Sequence, residues 1–405
     1  MAKFCGSCGA KLGESDTFCP ECGGKSDTYP AAEAKNLPVP KSSEKKSQLP
    51  LIMILVVVFL AVLGIIGFSI LNKYFKNRNA RYPVELNNEW GFITSEGKMV
   101  IPPHFGWTFD GSQITANMYQ DNFEGFAFLR LEDFGKFHEG LDPVSLTTNG
   151  KCGYINLGGK WTISPQYNTC YPFSDGLALV PVGNKWGFIN SKGKWVINPL
   201  YDNGGFFREG RASVEIGNLW GYINKKGNYI LNPQFNGAGS FHDGLAAVNS
   251  GEKWGYINRS GDTVINEQFD FAEIFSEGLA AAESGRKDGY INKSGSFVIP
   301  PQFDIAEPFT EGFAAVEYGN KWGYVNIKGH LVITPQYSRA FPFNEGLAAV
   351  KLSNGGQWGY INKKGNFVIT PQFNAAFPFI NGIAAVRSNG NIEYINKKGK
   401  IIWGG

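Results

Sequence analysis

The segment Lys-Trp-Gly-Tyr-Ile-Asn, or a close variant of it, returns every 34 residues through most of this chain. Gly153, Gly187, Gly221, Gly255, Gly289 and Gly323 mark the interval, and Gly359 follows 36 residues after the last of them. Trp90-Gly91 is an earlier copy and Glu393-Tyr394-Ile395-Asn396 an altered late one, so the chain holds nine. A fixed period of this length confines the fold to units that stack on their neighbours, because one unit cannot bury its own apolar face.

The copy that starts at Leu245 shows what a unit contains. Leu245-Ala246-Ala247-Val248 reads as a short apolar strand, Ser250-Gly251-Glu252 as a turn, and Trp254-Gly255-Tyr256-Ile257-Asn258 as a second strand. Asn258-Arg259-Ser260-Gly261 has the composition of a type I turn closed by a left-handed glycine, and Thr263-Val264-Ile265 reads as a third strand. Each unit is expected to be a three-stranded antiparallel meander with a connector. Alternation puts Trp254 and Tyr256 on one face and Gly255 and Ile257 on the other. The bare Gly255 is expected to let a neighbouring unit come close.

The first 81 residues belong to something else. Cys5 and Cys8 are two residues apart, as are Cys19 and Cys22, with ten residues between the pairs. Two such knuckles can complete a tetrahedron of thiolates around one ion. The halves Cys5-Gly6-Ser7-Cys8-Gly9 and Phe18-Cys19-Pro20-Glu21-Cys22-Gly23 resemble the short bacterial zinc ribbon. Residues 1–25 are therefore expected to hold a structural Zn2+ on Cys5, Cys8, Cys19 and Cys22. Residues 26–50, rich in Ser, Pro, Ala and Lys, read as a flexible linker.

Leu51 to Leu71 carries no charge over 21 residues. As a helix it would span roughly 32 Å, enough for a hydrocarbon core of about 30 Å. It is expected to cross the membrane once, with 72–81 as a basic juxtamembrane segment. Lys35, Lys41, Lys45 and Lys46 before it balance Lys73, Lys76, Arg78 and Arg81 after it, so flanking charge does not orient the span. Zinc thiolates survive best in reducing cytosol. That places the N-terminus in the cytoplasm and the repeats outside the cell membrane.

From about Tyr82 to Trp403 the chain resembles the WG-repeat family of bacterial proteins. The resemblance rests on Lys-Trp-Gly-Tyr-Ile-Asn-Lys-Lys-Gly, then Pro-Gln-Phe/Tyr, then Phe-x-Glu-Gly-Leu-Ala-Ala-Val. It implies a binding or structural repeat without a shared catalytic motif. The fold class expected for 82–405 is an all-β repeat array, an open superhelix of nine meanders. No strand is left over at either end to complement the other and close a ring. A β-propeller is the alternative.

Departures from the repeat are the remaining clues. Cys152 stands where other units have Trp, and Cys170 lies 18 residues on. The two form either a disulfide across the meander or a pair of buried free thiols. An insertion near 106–134 is rich in aromatics, which suits an end cap or a partner-binding loop. Arg286-Lys287-Asp288-Gly289 replaces the usual Lys-Trp-Gly, a change that marks either a polar site or drift at an exposed position.

Turn charges form a basic row that includes Arg259, Lys293, Lys363 and Lys397, and an acidic row of Asp175, Glu209, Asp243, Glu277, Glu311 and Glu345. In stacked units these would give one positive and one negative rim, or simply solvated turns.

Formal net charge is only +3, and the ribbon balances Lys3, Lys11 and Lys25 against Glu14, Asp16 and Glu21, so no nucleic-acid partner is expected. His104, His138, His242 and His330 form no recurring set, and no nucleophile elbow, zinc-protease helix or phosphate loop occurs. The chain is read as a membrane-anchored, non-catalytic scaffold for a protein, peptide or glycan. A cytoplasm-facing scaffold is the alternative. So is an envelope hydrolase with carboxylates from neighbouring units meeting across a groove.

Overall fold

The computed structural model describes residues 3–5, 11–12, 26–27, 80–86, 89–105, 137–146, 150–353 and 355–404. The chain divides into two compact units, 1–69 and 70–405. In the first, strand Lys3–Cys5 lies between Lys11–Leu12 and Ser26–Asp27, antiparallel to both. Cys5 closes the central strand. Cys8, Cys19 and Cys22, the linker, Leu51–Leu71 and the insertion near 106–134 lie outside the described residues. Among the described residues no helix is long and apolar enough to cross a membrane.

The second unit is a nine-blade β-propeller. Its sheets span 82–105, 141–167, 173–201, 203–235, 237–269, 271–303, 305–337, 339–373 and 375–403, here called blades 1 to 9. Blades 3 to 9 have four strands each, and three are described in blades 1 and 2. The strand absent from the meander expectation comes first. In blade 5 it is Gly237–Ala238, which pairs with the far end of Leu245–Asn249. It gives no alternation signal because it is two residues long. In several other blades a proline follows it closely, at Pro308, Pro342 and Pro378, and cannot donate to a ladder.

Four letters of the repeated hexapeptide have separate tasks. The glycine lies opposite a bulge in its own blade. Between the pairs Trp254↔Phe269 and Tyr256↔Ile265 the outer strand carries extra residues. A Cβ on Gly255 would sit 2.5 Å from the Ile265 carbonyl oxygen and 2.7 Å from the Glu267 nitrogen. The close approach expected from a neighbouring unit is therefore made by the blade's own backbone. The tyrosine reaches the next blade: Tyr256 Oη donates to the Glu273 carbonyl at 2.7 Å, and Tyr154, Tyr222, Tyr290, Tyr324 and Tyr360 repeat the bond 17 residues downstream. The isoleucine faces the preceding blade, Ile257 packing with Tyr222 and Phe241. The asparagine caps the following turn, Asn258 Oδ1 accepting from the Ser260 and Asp262 N–H groups.

These contacts produce nine apolar cores, each shared by two consecutive blades. The core of Tyr256, Phe275 and Ile291 joins blades 5 and 6, and that of Tyr290, Phe309 and Val325 joins 6 and 7. The ninth contains Tyr82, Val84 and Ile93 of blade 1 with Ile383 and Tyr394 of blade 9. It closes the ring, so the open superhelix expected from the sequence is not the fold. Among the described residues no strand is exchanged at the seam. Tyr394 Oη donates to the Pro83 carbonyl at 2.6 Å, Tyr82 Oη to the Ile380 carbonyl at 3.1 Å, and the two rings meet edge to face. A face already built for a neighbour is satisfied by the first blade as well as by any other.

Cys152 and Cys170 are joined as a disulfide with their Cα atoms 6.0 Å apart, and both are fully buried. Cys170 belongs to the segment that leads into blade 3, so the bridge links two blades rather than crossing one meander. Replacing both cysteines by Ala should lower unfolding stability by about 3 kcal/mol. Tyr394→Ala should cost about 3–5 kcal/mol by opening a cavity at the seam, and Gly255→Ala about 1–3 kcal/mol by overpacking. Denaturant titration checks all three, and a Tyr394→Ala chain as stable as the parent would argue against a closed ring.

Candidate functional site

The position of the motif tryptophan meets one residue beside the short first strand of the same blade, and in blades 3 and 8 both are aromatic. Tyr171 meets Trp186 with ring centroids 5.7 Å apart, and Phe341 stacks on Trp358 at 5.2 Å. Blade 6 is different: Asp288 replaces the tryptophan and Glu273 the first-strand ring. Blade 7 keeps Trp322 but carries Glu307 at the first-strand place. Elsewhere that place holds Tyr171, Gly205, Gly239, Phe341 or Phe377. Three carboxyls from two adjacent blades thus converge where blades 3 and 8 pack aromatic side chains.

The convergence has an electrostatic signature. Asp288 and Glu307 are half-buried, and Asp288 accepts the Ala306 N–H at 2.8 Å. Burial, reinforced by the nearby Glu283 and Glu273, pushes Asp288 up to about 6 in spite of that hydrogen bond. Burial and the negative charges of Glu273 and Asp288 push Glu307 up to about 7. Clusters of this kind are functional-site candidates because desolvating like charges costs stability.

Glu307 also lines a groove of about 500 Å3 drawn mostly from the segments between the first and second strands of blades 6 to 9. That volume is typical of ligand sites. Its walls include Pro308, Phe341 and Pro342, with Trp322 and Trp358 at its base. Trp322 and Trp358 are 4% and 2% exposed, yet neither indole Nε1 has a hydrogen-bond partner. The Thr310 hydroxyl in the same lining is also buried without one. Buried donors without acceptors are rare and costly. Three along one groove make it the candidate site.

The acidic row has a different task. Glu277 and Gly278 both have positive φ, as a two-residue type I′ hairpin requires. The Glu277 carboxylate accepts the Gly312 N–H of the next blade at 2.9 Å, and Glu139, Asp175, Glu209, Asp243, Glu311 and Glu345 each do the same for theirs. Arg259 pairs with Glu209, Lys363 with Glu311 and Lys397 with Glu345. Acidic and basic turns therefore meet at the same end of the ring and do not form opposed rims. His138 and His242 do share one place in the repeat, bridging to Leu141 and Leu245. No group of three or more His, Cys, Asp or Glu among the described residues is arranged to hold a metal ion. The sequence reading singled out Asp288 but passed over Glu273 and Glu307. Their signal is that two consecutive blades carry Glu where the others carry a ring or Gly.

Segments 90–110, 153–186, 186–220, 220–254, 254–287, 289–322, 322–355 and 358–391 match the family described as WG containing repeat. No curated protein matches the chain in sequence. Among solved structures, a crystal structure of the eukaryotic initiation factor aligns with TM-score 0.50 and 10% identity, over 80% of this chain and 94% of that one. The dihydro-heme d1 dehydrogenase NirN aligns with TM-score 0.43 and 9% identity, over 65% and 72%. Kluyveromyces lactis Hsv2p aligns with TM-score 0.34 and 11% identity, over 48% and 74%. At 10% identity the likeness to the first of these is one of fold alone.

The raised carboxyls set a pH dependence. Between about pH 4 and pH 7 the folded chain keeps protons on Asp288 and Glu307 that the unfolded chain has released, so stability falls as pH rises through that window. The melting temperature should rise from pH 8 to pH 5, and the double variant Asp288→Asn, Glu307→Gln should flatten the slope. Below about pH 4 the sign reverses. There Asp202, Asp270 and Asp304, held low by hydrogen bonds from Lys185, Lys253 and Lys287, begin to protonate. Equal slopes in parent and double variant would mean that these carboxyls ionise normally.

Proposed function

Since the chain belongs to the WG containing repeat family, we propose that it is a non-catalytic binding protein whose nine-blade ring holds a protein, peptide or glycan. The observation that carries this reading is the groove along blades 6 to 9, with its aromatic and proline walls and its unpartnered indole N–H groups. Such a surface recognises an extended, partly apolar ligand rich in hydrogen-bond acceptors.

In this reading Leu51–Leu71 anchors the chain in the cell membrane by a single pass. Cys5, Cys8, Cys19 and Cys22 hold a structural Zn2+ on the cytoplasmic side, and the ring lies outside. The Cys152–Cys170 disulfide supports that sidedness, because such bonds persist in oxidising surroundings.

A second reading, an envelope hydrolase, has one observation in its favour. Carboxyls from neighbouring blades do meet, and the raised Glu307 suits a proton donor beside an ionised partner. Binding is preferred because the groove's unpartnered groups are hydrogen-bond donors.

Lys225 is exposed in a turn of blade 4. Lys225→Cys should react with a membrane-impermeant maleimide on intact cells, and reaction only after lysis would put the ring in the cytosol. The purified chain should release one zinc ion when a mercurial titrates its N-terminal thiolates. On peptide and glycan arrays the parent should retain a ligand without cleaving it, and Trp322→Phe with Trp358→Phe should weaken retention about tenfold. Turnover of an array member that Glu307→Gln abolishes would favour the hydrolase.

A further inference from the structure

The turns between the last two strands of the blades carry two kinds of cation. Those at the first turn position reach the acidic hairpins: Arg259, Lys363 and Lys397 pair with their carboxylates, and the Lys293 ammonium donates to the Asp243 carbonyl. Those at the second position do not. Lys192, Lys226, Lys328, Lys364 and Lys398 are exposed, and their backbone N–H groups are held by the turn asparagines. Among the described residues none of their ammonium groups is paired with an acid. The residue that opens the last strand, directly after the turn, adds a second feature. Trp195, Tyr229, Leu331, Phe367 and Ile401 all hold this place and all are exposed. Trp195, Tyr229 and Phe367 stand edge to face against Tyr167, Tyr201 and Tyr337 of the preceding blade. Solvation of the turns accounts for the lysines, but not for a recurring row of large apolar side chains left uncovered beside them.

We propose that this end of the ring docks on the anionic surface of a lipid bilayer, the turn lysines meeting phosphate headgroups and the apolar residues beside them entering the headgroup boundary. Lysine together with Trp, Tyr and Phe along one edge is the composition of interfacial membrane contacts. The charge is concentrated in one arc. Turns 362–366, 396–400, 94–98, 156–160, 190–194 and 224–228 hold eleven lysines against one acid, Glu96. They belong to blades 8, 9, 1, 2, 3 and 4, which closure of the ring makes consecutive. Positive charge stays in excess there when Glu139, Asp175, Glu209 and Glu345 of the hairpins in those blades are included. The chain also enters the ring within this arc. Arg81 Nε donates to the Leu157 carbonyl in the turn of blade 2 at 3.4 Å, and the Arg81 charge acts on Glu96 in the turn of blade 1. If Leu51–Leu71 anchors the chain, its last residue lies ten positions before Arg81, a reach of at most about 35 Å. The inference goes beyond the binding reading of the groove. It rests on the anchored reading only for its choice of a bilayer over a soluble polyanion.

The test places the full-length chain in nanodiscs, one set of pure phosphatidylcholine and one with phosphatidylglycerol as about a third of the lipid. Acetylation of each lysine by a water-soluble ester is then followed by mass spectrometry. In the anionic discs Lys226, Lys364 and Lys398 should react about threefold or more slowly than in the neutral ones, and about 1 M NaCl should remove the difference. Lys253 and Lys321, in hairpins at the opposite end of their blades, should react alike in both. Lys192→Gln, Lys226→Gln, Lys364→Gln and Lys398→Gln combined should reduce the protection of Lys194 and Lys400. All four replaced side chains are exposed, so the variant should keep its fold. Equal rates in the two kinds of disc, equal protection of both ends, or undiminished protection of Lys194 and Lys400 in the variant would overturn the proposal. So would protection by inorganic polyphosphate in neutral discs with none in anionic discs, which would assign the lysines to a soluble polyanion. A chain that elutes apart from the discs would refute the anchored reading alone. Vesicles containing phosphatidylglycerol should then still protect the same lysines, and their failure to do so would overturn the docking as well.

Discussion

No blade of this ring has a core of its own. Tyr256 is buried only because blade 6 covers it, and its hydroxyl is satisfied only by the Glu273 carbonyl of that blade. The face carrying Ile257 depends in the same way on blade 4. Stability is therefore a property of joints rather than of units. The repeated hexapeptide records this: Tyr and Ile serve the two joints, while Gly and Asn serve the bulge and the turn that let one strand present both faces. The acidic hairpins add a second link, each carboxylate reaching a backbone N–H in the next blade. Blade 9 carries Asn381 where blades 2 to 8 carry Asp or Glu, and there its carbonyl accepts from Tyr82 at 3.3 Å instead.

Much of this was legible in the amino-acid sequence. The period, the three long strands of each unit, the face assignment of Trp254 and Tyr256 and the Asn258-to-Gly261 turn were all readable from spacing and turn chemistry. What was not readable depended on what lies across a joint. The short first strand has too few residues for a period. Ring closure depends on the accumulated angle between sheets, to which no single residue testifies. The expectation that closure needs a shared strand failed because Tyr82 and Tyr394 satisfy one another's faces directly. The role of Gly255 was misassigned for a similar reason, since a bulge in a partner strand leaves no mark on the strand that faces it.

The candidate site was half legible. Asp288 stands out against the repeat, but its meaning depends on Glu273 and Glu307, which lie 15 residues before it and 19 after it. Only the joint between blades 6 and 7 brings the three together. Glu277 and Glu311 are as conspicuous in the sequence, and each meets a backbone N–H of the next blade. What a carboxylate meets is settled only when the neighbouring blade is in place.

The seam between blades 9 and 1 has one further consequence. Because it is built like the other joints and shares no strand, the circle has no privileged start. A tandem duplication or loss of one whole unit would bring along, or remove, a complete set of joints. It would leave every remaining face matched and change only the curvature. Ring size in such a protein can drift by whole blades.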